Sequence, residues 1–463
     1  MIPRTPIVVV GGGIAGLVAA RDLALAGADV TLVEPERPGG KLRASPFAGV
    51  ALDEAADAFL ARVPDGVELC RELGLDGDLV SPSARRAYVW SHGALRPLPE
   101  GQVLGVPTDL DELAASGVVS PAAVDQARAE LATPLRAPEG DVAIGELMRA
   151  RLGDEIVDRL VDPLVGGINA GDTDRLSLAA TVPQLDAAAR SGAGSLIEAC
   201  RVQRAAVADP ASPVFFAPRA GMASLAAATL EDATAHGLEL VTARAVGLER
   251  ERDGWRVALD GGRALRAEAV VIATPAGAAA GLVRPHAARA GTLLAAIPYA
   301  SVAMIAIAVD RARIDRELDG SGFLVPRVEG RTITACSWAT SKWPHLAGGD
   351  TVVVRASVGR DGDDRALALS DDALVEATLS DLRTTMDLRG EPSDVRVTRW
   401  AGSLPQYRPG HLDRVAAIDA DLDAMAPRVV VTGAAFRGLG VPACIRQGRG
   451  AAGRILAALD PTS

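Results

Sequence analysis

Residues 7–16 read IVVVGGGIAG, and the next strand-like stretch, DVTLVE, closes on Glu34. No other feature narrows the fold as far. The apolar β-branched run predicts a buried strand. Gly11 permits the tight turn after it, Gly13 lets the backbone approach a pyrophosphate, and Gly16 lets the following helix pack on the strand. That helix opens with Ile14 and Ala15, and its start directs unpaired N–H groups and positive dipole toward phosphates. Glu34 falls near the offset at which an acid bonds a ribose 2′-hydroxyl. A bare GxGxxG says little. Strand, glycines, helix, second strand and acid in order predict dinucleotide binding, with a glycine turn in an ordinary α/β domain as the alternative.

At 463 residues the chain exceeds one compact core, so two or three domains are expected. A net charge of −11 argues against nucleic acid and anionic membrane partners. No apolar run approaches the ~18 residues that span a bilayer. The amino terminus passes almost directly into a strand, which leaves no room for a signal peptide. Cys70, Cys200, Cys336 and Cys444 are scattered, without CxxC spacing or nearby histidines, so neither a metal site nor a disulfide framework is expected. A reduced, cytoplasmic setting fits this pattern. Lys41 and Lys342 are the only lysines, and an anionic substrate would have to be met by local arginines.

The first βαβ unit extends to about residue 45, and the glycines of PGGK (38–41) suit backbone lying against a cofactor. Residues 54–75 read as a helix broken near Pro64. Residues 85–107 read as a hairpin followed by a Gly/Pro-rich loop. Capped amphipathic stretches make 108–205 mostly helical, including a long helix ending at Asp162-Pro163. Helix, strand meander and buried strand follow at 215–275. Strands near 300–310, 332–339 and 351–357 and a helix over 369–388 belong to a separate sheet. The chain closes with strand, glycine-rich loop and helix. This order predicts an α/β protein whose nucleotide domain is left and re-entered. The nucleotide domain takes residues 1–80, 210–285 and 412–463, a second domain with its own mixed sheet takes 81–107 and 286–411, and a helical domain takes 108–209.

TGAAFRGLGVPACIRQGRGAA near the carboxyl end, together with the amino-terminal fingerprint, resembles flavin-dependent amine oxidase-type proteins. LVDPLVGGINAGDTDRLSL (160–178) resembles a signature of the protoporphyrinogen/coproporphyrinogen oxidase family. GALRPLPEGQVLGVPTDL (93–110) and WAGSLPQYRPGH (400–411) are similar to other segments of that family, so the resemblance covers essentially the whole chain. It implies a Rossmann-type FAD domain, a substrate domain with a large sheet, and a helical domain. It also implies oxidation of a porphyrinogen to a porphyrin, with FAD passing electrons to O2 and producing H2O2.

The resemblance assigns residues as well. Gly11, Gly13, Ile14, Ala15, Gly16, Glu34, Gly39, Gly40 and Lys41 line the ADP half of FAD. Val246 meets the adenine through its backbone. Gly433, Gly440, Val441 and Ile445 belong to the flavin segment, where Pro442 suits a first helical position. The flavin is expected to be noncovalent, with Cys444 a small buried apolar residue. Arg62 matches a basic position that holds a propionate, and a guanidinium grips a carboxylate bidentately. Gly167 approaches the macrocycle, flanked by Ile168 and by Asn169, which stands where the family has an aromatic. The flavin itself accepts hydride, so no residue is nominated as catalytic.

Coproporphyrinogen III is the favoured substrate, because the chain is acidic and lacks an apolar anchor; protoporphyrinogen IX stays open. An amine oxidase or carotenoid desaturase on the same scaffold is opposed by the 160–178 signature and by only three tyrosines and six phenylalanines. A non-enzymatic escort of the same fold would not need flavin-contacting segments at both ends. A ferrochelatase is the implied recipient of the porphyrin, and the chain is expected to be a monomer or dimer.

Overall fold

The computed structural model describes residues 5–206, 212–346 and 348–460. The expected boundary at 209/210 lies outside them. Five parallel strands form the nucleotide sheet, in the order Glu239–Val241, Asp29–Val33, Pro6–Val10, Ala269–Ile272 and Val429–Val431. Both faces are buried, as crossover helices demand of a parallel sheet. Alternate residues of Pro6–Val10 divide between two cores. Ile7 and Val9 face the helices Ile14–Leu25, Met222–Ala235 and Val441–Leu459. Val8 and Val10 face the three-stranded meander 245–267 and the helices Ala276–Val283, Ala288–Ala295 and His411–Met425. Ala288–Ala295 thus shares its core with the nucleotide sheet.

The first helix is buried almost all round. Its one buried charge, Arg21, donates to Asp232 at 2.6 Å and to Glu72 at 2.8 Å, tying three helices together. A helix this enclosed needs small neighbours. A Cβ on Gly448 of the last helix would lie 2.4 Å from the Ala15 carbonyl oxygen.

A second sheet has seven strands, ordered Asp394–Pro405, Tyr299–Asp310, Thr351–Val358, Ile333–Trp338, Gly322–Leu324, Tyr88–Ser91 and Ala94–Pro97. It is mixed: Gly322–Leu324 runs parallel to Tyr88–Ser91, and the other pairings are antiparallel. Asp371–Met386 covers one face through Leu374, Leu379, Leu382 and Met386. A third core gathers the helices between Leu110 and Ala205. Among the described residues, no helix is long and apolar enough to cross a membrane.

Two sequence expectations are corrected. The helix expected over 54–75 spans only Pro64–Glu72. Pro64 starts it, because a fixed φ and a missing N–H cost nothing in the first turn. Phe59–Leu60 before it pairs with Phe215–Phe216. The long helix is broken at Gly153, at φ 84°, restarts at Asp154 and does not stop at Asp162-Pro163. It widens into a π-helical segment, Val157–Gly166, with Pro163 inside, and continues through Gly167–Asn169 to Ala170 at φ 44°. The i→i+5 register shifts the carbonyl that an α-helical proline would clash with, so the chain accommodates Pro163 without ending.

A candidate flavin and substrate site

The nucleotide loop is built from backbone laid on backbone. Gly11 turns at φ +105°, and a Cβ there would meet the Ala273 carbonyl oxygen at 2.9 Å. A Cβ on Gly16 would collide with the Gly11 carbonyl oxygen at 1.9 Å. Gly13 has nothing within 4 Å of an added Cβ, so its outer side is open. Gly39 donates to the Gly12 carbonyl at 2.8 Å, and Gly40 at φ +58° sits over Gly13. Ile14 and Ala15 are buried at the start of the first helix, whose cap, Gly13, offers no side-chain acceptor. Its first-turn N–H groups are left for a ligand.

Glu34 has a role the sequence did not reveal. Its Oε2 accepts from the Gly12 N–H at 2.7 Å and its Oε1 from the Glu36 N–H at 3.0 Å, which braces the loop to the end of the second strand. Lys41 lies beside Cys444. Burial holds its ammonium below the ordinary lysine range, with the thiol acting in the opposite sense. Val246 is exposed at an irregularity in the strand Ala245–Glu251, beyond Val241, whose carbonyl accepts from Glu34 N–H.

The carboxyl-terminal segment closes over the same helix. Gly433 turns at φ +115°, with an added Cβ 3.8 Å from the Ala15 Cβ. Tyr407 donates to the Ala434 carbonyl at 2.5 Å and accepts from the Gly438 N–H at 3.1 Å. His411 stacks on Tyr407 with centroids 4.1 Å apart and bonds the Phe436 carbonyl at 2.9 Å. Burial pushes His411 down to about 4, so it is neutral at physiological pH. Gln447 accepts from the Arg437 N–H and donates to the Gly438 carbonyl. Gly440, in extended backbone, opens the last helix at Val441 without a side-chain cap, a second uncapped helix start. Ile445 is fully buried in the core beneath it.

The three segments that carry the family resemblance meet around the π-helical turn. Gly105 of the first would place a Cβ 2.6 Å from the Val161 Cα. Gln406 of the last donates to the Asn169 carbonyl at 2.9 Å. The Ser177 N–H bonds the Tyr407 carbonyl at 2.7 Å. Gly167 is exposed, with Leu324 Cδ2 at 3.8 Å from an added Cβ, and Ile168 is 62% exposed. Asn169 turns inward instead. Its Nδ2 donates to the Val165 carbonyl at 2.8 Å, closing its own helix, so its side chain is not a wall of the opening. Arg62 stands exposed on the turn between Phe59–Leu60 and the helix at Pro64, and makes no side-chain hydrogen bond or ion pair among the described residues.

Residues 14–456 match the family described as flavin containing amine oxidoreductase. The chain belongs to that family. It is 39% identical over 457 residues to the coproporphyrinogen III oxidase of Mycobacterium leprae (strain TN), covering 98% of this chain and 97% of the relative. It is 33% identical to the coproporphyrinogen III oxidase of Bacillus subtilis (strain 168), with 96% of each covered. A crystal structure from Exiguobacterium sp. 255-15, assigned as a protoporphyrinogen oxidase, superposes with a TM-score of 0.88 at 31% identity, covering 98% of this chain and 99% of that one. The protein is therefore an FAD-dependent oxidoreductase. The residues fit the cofactor: two helix starts without side-chain caps flank a loop in which Gly11, Gly13 and Gly16 leave no side chain in the way.

One charged cluster had no sequence signal. The Asp57 carboxylate receives Lys342 Nζ at 2.9 Å, Arg355 Nη1 at 3.3 Å and Trp343 Nε1 at 3.3 Å. Burial opposes its ionisation, but Lys342 and Arg355 outweigh that and hold it below the usual carboxylate range. Arg355 also donates to the Ala55 carbonyl at 2.6 Å. Nearby Asp53 accepts from the Met222 N–H at 3.0 Å, and burial pushes it up to about 6 against the pull of Arg355. The cluster pins the segment after the hairpin 44–53 to the seven-stranded sheet.

Proposed function

We propose that this enzyme oxidises coproporphyrinogen III to coproporphyrin III in haem biosynthesis, with O2 as acceptor and H2O2 as product. The observation that carries the reading is end-to-end similarity to relatives named coproporphyrinogen III oxidase, at 39% and 33% identity. Removal of six hydrogens consumes three O2 and releases three H2O2. FAD supplies two-electron acceptance at each turn. The chain's own part is to bind and orient. Gly167 and Ile168 border the macrocycle, Asn169 fixes their backbone through Val165 and Gln406, and Arg62 meets a propionate at the rim.

The cofactor assignments follow the same reading. Gly11, Gly13, Gly16, Gly39, Gly40 and Lys41 border the ADP half, Val246 the adenine, and Gly433, Gly440 and Val441 the flavin, while Ile445 supports that segment from the core. FAD is held noncovalently. The Cys444 thiol is buried and pushed up to about 11, so it is protonated and a poor nucleophile at neutral pH. The enzyme works in the cytoplasm as a monomer or dimer and passes its product to a ferrochelatase. The nucleotide sheet with its helices forms the FAD domain, the seven-stranded sheet the substrate domain, and the third core the helical domain.

Protoporphyrinogen IX is the second reading, supported by the assignment of the Exiguobacterium neighbour. Anaerobic mixing with each porphyrinogen separates the two. Bleaching of the flavin by coproporphyrinogen III at the faster rate supports the proposal, and faster bleaching by protoporphyrinogen IX supports the alternative.

A further inference from the structure

A narrow cleft separates the π-helical segment from the seven-stranded sheet. Asp162, Gly166, Gly167 and Gly171 form one side, and Val325, Thr334 and Arg360 the other. Arg360 stands at its wall with no ion pair or side-chain hydrogen bond among the described residues. Arg327 comes close enough to repel it. The Arg327 Nη2 is buried and has no hydrogen-bond partner.

Asp162, Asp363 and Asp172 attract Arg360 without pairing with it, and each also bonds other partners. Asp162 accepts from the Thr173 N–H and Oγ1 at 3.2 and 3.0 Å. Asp172 accepts from the Asp174 N–H at 3.0 Å. Asp363 is gripped by Arg365 at 2.8 and 3.0 Å. Asp361 is shared between Arg408 at 2.7 Å and Arg175 at 3.1 Å. Arg360 lines the opening without a hydrogen-bonded or ion-paired acid among the described residues, and Arg327 beside it keeps a buried donor without a partner. Buried donors are ordinarily satisfied, and a site that leaves them open is one that a ligand completes. A guanidinium fork matches a carboxylate bidentately.

We propose that Arg327 and Arg360 form a carboxylate subsite that grips one propionate arm of the porphyrinogen beside Gly167. This rests on the porphyrinogen-oxidase reading and deepens it. Arg62 lies on a separate turn, so the macrocycle is held by more than one arm. The four propionates of coproporphyrinogen III offer an arm to this subsite in more orientations than the two of protoporphyrinogen IX. Burial and the neighbouring cation both depress the Arg360 guanidinium, which a bound carboxylate would relieve.

The test is steady-state kinetics of Arg360→Ala and Arg360→Lys, with equilibrium binding of coproporphyrin III and of its tetramethyl ester followed by fluorescence. Arg360→Ala is expected to raise KM for coproporphyrinogen III about 10-fold or more, with kcat within about 2-fold and flavin content unchanged. Arg360→Lys is expected to recover part of the loss. Binding of the free acid weakens by a similar factor, and binding of the ester does not. Unchanged KM, or equal weakening of acid and ester, overturns the subsite. If Arg360→Ala does not load flavin, Arg327→Gln is put through the same measurements and the same outcomes decide. A wild-type protein inert toward every porphyrinogen contradicts the functional reading itself, whereas an active wild type with an indifferent Arg360→Ala contradicts the subsite alone.

Discussion

Gly105 and Val161 approach so closely that a Cβ on Gly105 would lie 2.6 Å from the Val161 Cα, with Gly105 at φ +88°. The contact docks the loop after the first hairpin of the seven-stranded sheet onto the π-helical turn that presents Gly167. Gly105→Ala combines an unfavourable φ with an overlap against backbone. It is expected to cost about 3 kcal/mol and to displace the π-helical turn. Porphyrinogen turnover should fall at least about 10-fold while the visible flavin spectrum stays intact. Wild-type turnover by the variant would show that the contact does not position the site.

Loss of the Asp57 carboxylate leaves Lys342 and Arg355 facing each other without an anion. Asp57→Ala is expected to destabilise the fold by about 3–5 kcal/mol, as breaking a buried pair does when it leaves an uncompensated charge. Lys342→Met should cost less, because Arg355 still pairs with Asp57 at 3.3 Å. The temperature at which flavin fluorescence is released measures both. A larger loss for Lys342→Met than for Asp57→Ala would contradict this division of roles.

Glu34 is predicted to act on the cofactor through the loop. Glu34→Ala removes the acceptor of the Gly12 N–H and should weaken FAD binding about 10-fold, the factor that corresponds to one charge-assisted bond. Glu34→Gln keeps an acceptor in place and should lose less. Reconstitution of apoprotein with FAD, followed by flavin fluorescence, gives both constants. Equal, wild-type affinity for the two variants would remove Glu34 from the site.

Asp53 and His411 shift in opposite senses. The Asp53 carboxyl rises from 3.8 to about 6 on folding, so between those values the folded state binds more protons and stability falls as pH rises. His411 falls from 6.5 to about 4, so between those values the unfolded state binds more protons and stability rises with pH. The two contributions mask each other in the wild type. Asp53→Asn removes the first, and its stability relative to wild type should improve between pH 4 and pH 7. Denaturant unfolding at the two values tests this, and a pH-independent difference would contradict it.

The nucleotide half of the fold was legible because its signals are local. The strand at 6–10, the glycines and the first helix each obey a short-range rule, and the rules agree. The meaning of a proline depends on its context. Pro64 opens a helix rather than interrupting one, and Pro163 lies within a π-helical turn because the wider register admits it. The substrate side was legible only as a resemblance. Gly105, Gln406 and the turn from Val161 to Asn169 are far apart in the chain, and the sheet and helical layers that unite them have no local signature. The same holds for Asp57 with Lys342 and Arg355, and for Arg327 with Arg360. Charges that pair or stand unpaired across layers are visible only once the layers are folded.

The most direct measurement is aerobic turnover of coproporphyrinogen III and protoporphyrinogen IX by the purified holoenzyme, with porphyrin fluorescence and H2O2 followed together against a no-enzyme control. The account predicts faster turnover of coproporphyrinogen III, with about three H2O2 released per porphyrin formed, as two-electron steps through a flavin require. No turnover of either substrate by flavin-loaded protein would contradict it.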